Sequence, residues 1–244
     1  MGGSNTCLAR EGLTDETDGR AQVLGTDVTA QTLSLEAGCD YPVVDGITAA
    51  VYQIPTDQPE ADGTLAWTST TLVIANVSGG GRSGLGYTYG SGACKPLIEG
   101  ELAAAVAGHG VLDTGASLQA MVRAVRNLGR PGLASYAISA LETALWDLKG
   151  TLLGLPVSRL LGAVRDTVPV YGSGGFTTYD EPAARAQLER WTADLAIPRV
   201  KIKIGESWGT QEARDLARIA FARKVIGPDA ELYVDANGDR KSVV

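Results

Sequence analysis

Apolar and polar positions alternate between Asp45 and Tyr89, with β-branched residues frequent among them, the two-residue period of half-buried strands. Strands are predicted at 47–54, 68–77 and 84–89, and Gly79-Gly80-Gly81 is the turn between the last two. The intervening stretch Pro55–Trp67 carries Pro, Asp, Gly and a Trp and is predicted to be a long, polar, exposed loop. From Pro96 to Gly162 the period lengthens to that of helices. Leu133, Ala137, Ala140, Leu141, Ala144, Leu145, Leu148 and Leu152 recur at steps of three and four, one apolar stripe on a helix from Leu133 to Leu153. Arg130-Pro131-Gly132 breaks the chain before it, and Gly154-Leu155-Pro156 ends it.

Beyond Val164 the pattern changes again. A strand at 168–173, a helix at 181–194 with Pro182 in its first turn, a strand at 199–204, a helix at 211–225 and a strand at 231–235 follow in order. Strand, helix, strand, helix, strand is the signature of parallel βα units. The chain therefore divides near residue 165 into an α+β domain over 41–165 and an α/β domain over 166–244. Residues 1–40, polar and without a sustained period, read as an irregular extension.

Composition changes this picture little but narrows the partners. The 244 residues are 44% hydrophobic and 20% charged, enough apolar content for a sizeable core. A net charge of −7 disfavours nucleic acid or an anionic membrane as main partner, since both demand clustered cations. Cys7, Cys39 and Cys94 form no C-x-x-C pair, which fits reduced thiols in a cytoplasmic protein. No signal-peptide core and no run of transmembrane length occurs. Met1-Gly2-Gly3-Ser4-Asn5-Thr6 fits the permissive acylation pattern, but a flexible start is the favoured reading.

Three motifs carry candidate chemistry. Gly79-x-Gly81-x-x-Gly84 has dinucleotide-binding spacing, yet strand-like residues follow where that function requires a helix, so a hairpin is favoured. In Val200-Lys201-Ile202-Lys203-Ile204 the apolar residues share one strand face and the lysines the other. Two confined ammonium groups depress each other's pKa and yield a base near neutral pH; an exposed edge strand with solvated lysines is the equal alternative. Asp235, in Leu232-Tyr233-Val234-Asp235-Ala236-Asn237-Gly238, ends a strand where parallel folds place active sites and is a hard oxygen ligand. A turn or helix-cap aspartate is its alternative.

V-K-x-K-x-G on one strand, then a helix, then V-D-A-N-G resembles the mandelate racemase and muconate lactonising branch of the enolase superfamily. Asn127-Leu-Gly-Arg-Pro-Gly-Leu, Ala144-Leu-Trp-Asp-Leu-Lys-Gly and Leu160-Leu-Gly are similar to that family's helical capping domain. The resemblance spans roughly 45–238. It implies a capping domain, a three-stranded antiparallel sheet plus helices, followed by a TIM-type (β/α) barrel that is truncated here after its third strand. It implies Lys203 as the base that removes the proton next to a substrate carboxylate. Lys201 becomes the lysine that contacts that carboxylate, and Asp235 the first of three carboxylates holding Mg2+. Asn237 is implied as a polar neighbour of metal or substrate. Trp67, Tyr87 and Tyr89 are implied as an apolar wall under the capping loops, although ordinary packing explains them equally. His109 lies in the capping region and is expected to be non-catalytic.

The remaining metal carboxylates and the second acid–base group of the family have no counterpart in this sequence. A barrel needs about 250 residues, so the chain alone is expected to be inactive. The expected activity of the complete protein is dehydration of an acid sugar, with racemisation or cycloisomerisation second. The partners implied are a small-molecule carboxylate and further copies of the same chain. A non-catalytic fragment or assembly module is the alternative of another class.

Overall fold

The computed structural model describes residues 41–237, together with the backbone of 20–23 and 26–29. The last two stretches, β1 (Arg20–Val23) and β2 (Thr26–Thr29), pair antiparallel within a region whose sequence reads as irregular. The rest of the expected extension, with Cys7 and Cys39, lies outside the described residues.

Strands β3 (Val44–Ala61), β4 (Ala66–Gly79) and β5 (Arg82–Tyr89) form an antiparallel sheet in that order. Gly79 pairs with Arg82, and Gly80 and Gly81 take φ of 59° and 71°, the doubly left-handed turn that suits a two-residue hairpin. The glycine motif is therefore a turn. The long exposed loop expected over Pro55–Trp67 is not present. β3 and β4 continue through it, pairing Glu60 with Trp67 and Ala61 with Ala66, and only 62–65 remain as the turn. Two features sustain the pairing. β3 is an edge strand, where Pro55 and Pro59 can be carried beside an irregularity between Pro55 and Glu60. At the tip, the Asp62 carboxylate accepts from the Thr64 and Leu65 amides at 2.6 and 2.8 Å and from the Thr64 hydroxyl at 3.1 Å.

The helical part runs through α1 (Cys94–Leu97), a π-helical segment at Ile98–Leu102, α2 (Ala103–Val106), α3 (Thr114–Ala124), α4 (Leu133–Leu153) and α5 (Val157–Leu160). Ala137, Ala140, Leu141, Ala144, Leu145 and Leu148 of the anticipated stripe are buried on α4, whereas Leu133 at its start is 39% exposed. They pack with Val73, Ala75 and Val77 of β4 and with Ile98, Leu102 and Met121 into one core. β5 crosses α4 at backbone distance. A Cβ on Gly84 or Gly86 would overlap the main chain of Ala144 or Ala140. Gly154 caps α4 in the left-handed conformation, as its position predicts.

The second unit comprises β6 (Gly172–Ser173), α6 (Glu181–Glu189) with a π-helical continuation at Arg190–Asp194, β7 (Arg199–Lys203), α7 (Glu206–Gly209), α8 (Glu212–Ile226) and β8 (Glu231–Asp235). The three strands are parallel in the order β6-β7-β8. The strand predicted over 168–173 shrinks to two residues, because β7 offers partners only to Gly172 and Ser173. Val168 and Val170 are left 69% and 57% exposed. A small core of Leu188, Val200, Ile202, Ala222 and Ile226 joins α6 and α8 to β7. The architecture is thus the expected α+β domain followed by the opening βα units of a parallel barrel.

Candidate active site

β7 is the central strand of the parallel sheet, and its alternation decides the site. Val200 and Ile202 are buried in the helix-covered core, so Lys201 and Lys203 take the opposite face. They are not solvated edge residues, since their side chains are only 11% and 12% exposed. The parallel register sets Lys203 directly beside Asp235 on β8. Asp235 Oδ2 accepts from Lys201 Nζ at 3.0 Å and from Lys203 Nζ at 2.7 Å. Lys203 Nζ also donates to Asn237 Oδ1 at 2.7 Å. The other carboxylate oxygen, Oδ1, accepts from the Asn237 amide at 3.0 Å, and Asn237 adopts a left-handed φ of 49°. The turn reading of Asp235 is realised through one oxygen, while the other faces the lysines.

Burial alone would push the Asp235 carboxyl up. Hydrogen bonds from Lys203, the Asn237 backbone and Lys201 outweigh it and hold the group well below the usual carboxylate range. Lys201 is drawn below the ordinary lysine value, first by burial and then by the neighbouring Lys203, against the opposing pull of Asp235. Asp235 and the Asn237 amide oxygen are hard donors of the kind Mg2+ takes, but Mg2+ demands near-octahedral oxygen coordination. Among the described residues no three His, Cys, Asp or Glu side chains converge on a metal position. The donor set therefore has the right chemistry and is incomplete.

The β3–β4 hairpin tip docks against this end of the sheet. Thr177 donates its amide to Ala61 O at 2.8 Å and its hydroxyl to the carbonyls of Ala61 and Asp62 at 3.2 and 3.0 Å. The Trp208 amide donates to Gly63 O at 2.9 Å. A Cβ on Gly63 would lie 2.8 Å from Gly205 O and 3.0 Å from Ile204 O, so only glycine permits this approach. Asp62 is held below its ordinary value. Burial opposes this, but its bonds to Thr64 and Leu65 prevail, and the Lys203 charge adds to them. Ser207 and Trp208 take left-handed φ of 54° and 61°, strain of the sort that collects at functional sites. A cavity of about 640 Å3 lies between the tip and these loops, lined by Asp62, Leu65, Tyr179 and Trp208 among others.

The aromatic residues expected as a wall separate. Trp67 lies beside the tip, edge-on to Phe176 at 5.6 Å between centroids, with its indole NH on Glu60 at 2.8 Å. Tyr87 and Tyr89 stand on the exposed face of β5 and stack edge-to-face with each other at 6.2 Å. His109 Nδ1 lies 3.1 Å from the Ser117 hydroxyl, within the capping domain. Cys94 is a free buried thiol, raised by that burial. The sequence pattern did not point to Asp62, Thr177 or the charged group of Glu206, Asp215 and Arg218. Asp62-Gly63 was a legible turn signal, but nothing in the pattern announced that the turn would reach the lysines.

A capping α+β domain whose hairpin leans over the carboxyl ends of parallel barrel strands, with two lysines and a carboxylate beneath, defines a class of capped-barrel proteins. Residues 47–162 match the mandelate racemase / muconate lactonizing enzyme N-terminal domain. Over those residues the chain carries the N-terminal domain of that family, and its relatives lie in the enolase superfamily. It is similar to the L-talarate/galactarate dehydratase of Salmonella typhimurium, with 33% identity over 186 residues, 72% of this chain and 45% of the relative. It is also 29% identical over 201 residues to the 3,6-anhydro-alpha-L-galactonate cycloisomerase of Streptomyces coelicolor, covering 80% of this chain and 55% of that one. A mandelate racemase/muconate lactonizing enzyme-like protein from Rubrobacter xylanophilus superposes with a TM-score of 0.77 at 46% identity, over 81% of this chain and 54% of that chain. The Salmonella dehydratase, liganded with Mg and L-lyxarohydroxamate, superposes with a TM-score of 0.72 at 26% identity, over 87% and 56%. The chain thus spans about half the length of the curated relatives it matches. No helix among the described residues is long and apolar enough to cross a membrane.

Proposed function

We propose that the complete protein removes the proton alpha to the carboxylate of an acid sugar, with Lys203 as base, and that the reaction it completes is dehydration. The observation that carries this reading is the convergence of Lys201, Lys203, Asp235 and Asn237 at the carboxyl ends of β7 and β8. Lys201, enclosed beside Lys203, holds the substrate carboxylate through its ammonium group in this reading. Lys203, after its ammonium group has given up a proton, accepts the α-proton at Nζ, and the electrons of the broken C–H bond pass into an enediolate. The β-hydroxyl, protonated by an acid from outside the described residues, then leaves as water, and the resulting enol tautomerises to an α-keto acid. Asn237, bonded to Lys203 Nζ, orients the amine. Asp235 would be one ligand of Mg2+, which when bound would supply the positive charge that an enediolate needs.

Dehydration is favoured over racemisation and cycloisomerisation because the Salmonella relative, matched over 72% of this chain, is an acid-sugar dehydratase. The Streptomyces cycloisomerase keeps the other outcome open for test. The complete protein should be assayed against a panel of hexarates and aldonates with Mg2+ and with a chelator. Metal-dependent formation of an α-keto acid from at least one is expected; no metal-dependent turnover of any carboxylate would sink the proposal.

A further inference from the structure

One group of charges outside the lysine site has no part in the chemistry above, yet it reaches the loops that follow β6 and β7, the second of which begins just beyond Lys203. Arg218 on α8 is buried to 15% side-chain exposure. Its guanidinium donates to Asp215 Oδ1 at 2.7 Å, to Glu206 Oε2 at 2.8 Å and to the Thr177 carbonyl at 3.1 Å. Asp215 Oδ2 accepts in turn from the Gly205 amide at 2.8 Å, two residues beyond Lys203. Glu206 Oε1 is also paired with Arg214 at 2.9 Å, so two guanidinium groups balance two carboxylates. All three acceptors of Arg218 come from different segments. Thr177 follows β6, Glu206 follows β7, and Asp215 lies one turn away on α8. The planar fork of an arginine can bond all three at once, which a single ammonium cannot do with the same geometry.

Thr177 is also the residue that holds the hairpin tip, through its amide and hydroxyl on Ala61 and Asp62. The Glu206 segment continues into Trp208, which holds Gly63. The capping tip is therefore fastened to two loops, and Arg218 fastens those two loops to each other and to α8. We propose that Arg218, acting with Asp215, is a positioning residue that clamps the loops after β6 and β7 and so holds the capping hairpin closed over Lys203. It touches neither lysine and is not assigned a chemical step. This rests on the α-proton abstraction proposed above only for its kinetic consequence.

The test uses the complete protein and the variant Arg218→Met, with amide hydrogen exchange as the first measurement. Exchange at Ala61–Ala66 is expected to rise about tenfold, with the protection of α4 unchanged, because local opening and global unfolding are separable in this observable. Thr177→Val removes the hydroxyl bonds without touching an ion pair and is expected to loosen the same residues. Unchanged protection of the tip in either variant would overturn the proposal. So would a loss that spreads equally to α4, since the network would then be serving the whole fold. In steady-state kinetics, KM for the acid sugar is expected to rise about tenfold as kcat falls, the pattern of an impaired closing element. A fall in kcat at unchanged KM would also overturn it, since that is what a reduced folded fraction produces. If the wild-type protein turns over no carboxylate, the proposed reaction fails, and the exchange measurement still decides the role of Arg218.

Discussion

At the scale of single residues, Asp235 is the hinge of the site. Two ammonium groups and one backbone amide converge on a carboxylate whose side chain is 36% exposed, while the lysines themselves are far more enclosed. Removing the anion leaves both lysines without the charge that offsets their desolvation. Asp235→Asn is expected to lower stability by about 2 kcal/mol at neutral pH, the scale of hydrogen bonds to charged groups, measured by urea unfolding. The effect has a predictable pH dependence. Because the folded-state value of Asp235 is depressed, its contribution is present above the unfolded carboxylate value, about pH 4, and is lost as pH falls through the folded one. The gap between wild type and variant should therefore be constant near neutrality and close in acid. A gap that widens on acidification would show that the ion pairs do not set it.

At the scale of elements, the most demanding contact is the crossing of β5 on α4, where Gly84 and Gly86 bring two backbones together. Gly86→Ala must displace the helix and is expected to cost about 3 kcal/mol, as overpacking does. Gly81→Ala has open space around its Cβ and meets only the φ of 71°, so it should cost about 1 kcal/mol. Equal losses in thermal unfolding would contradict the close crossing. These glycines were legible as strand residues but not as a helix-packing surface, since a missing side chain leaves no periodic signal. The α4 stripe and the alternation in β7 were legible because burial imposes a period, but the choice between enclosed and solvated Lys201 and Lys203 needed the central position of β7. The hairpin extension over Pro55–Ala61 was not legible. Two prolines and a cluster of polar residues argue for a loop, and only the edge position of β3 and the Asp62-centred turn allow a strand to form there instead. The shortening of the first parallel strand was equally hidden, because an apolar run indicates burial only where a neighbouring strand is present to pair with it.

At the scale of the whole molecule, two cores of unequal size meet through the hairpin tip. The capping core draws on β4, α4 and the helical run from Cys94, whereas the barrel core rests on five buried residues around β7. Thr177, Trp208 and the Arg218 group tie the two together at the hairpin tip. Central to the proposed function is that Lys203 acts as the base and that the capping domain encloses it. The most direct measurement follows the α-proton of a turned-over acid sugar by NMR in deuterated water, using the complete protein with Mg2+, wild type against Lys203→Ala. Loss of α-proton exchange by about a thousandfold in the variant is expected, the scale of a positioned general base, in a protein that still unfolds cooperatively. Exchange at the wild-type rate in a folded Lys203→Ala protein would contradict the account.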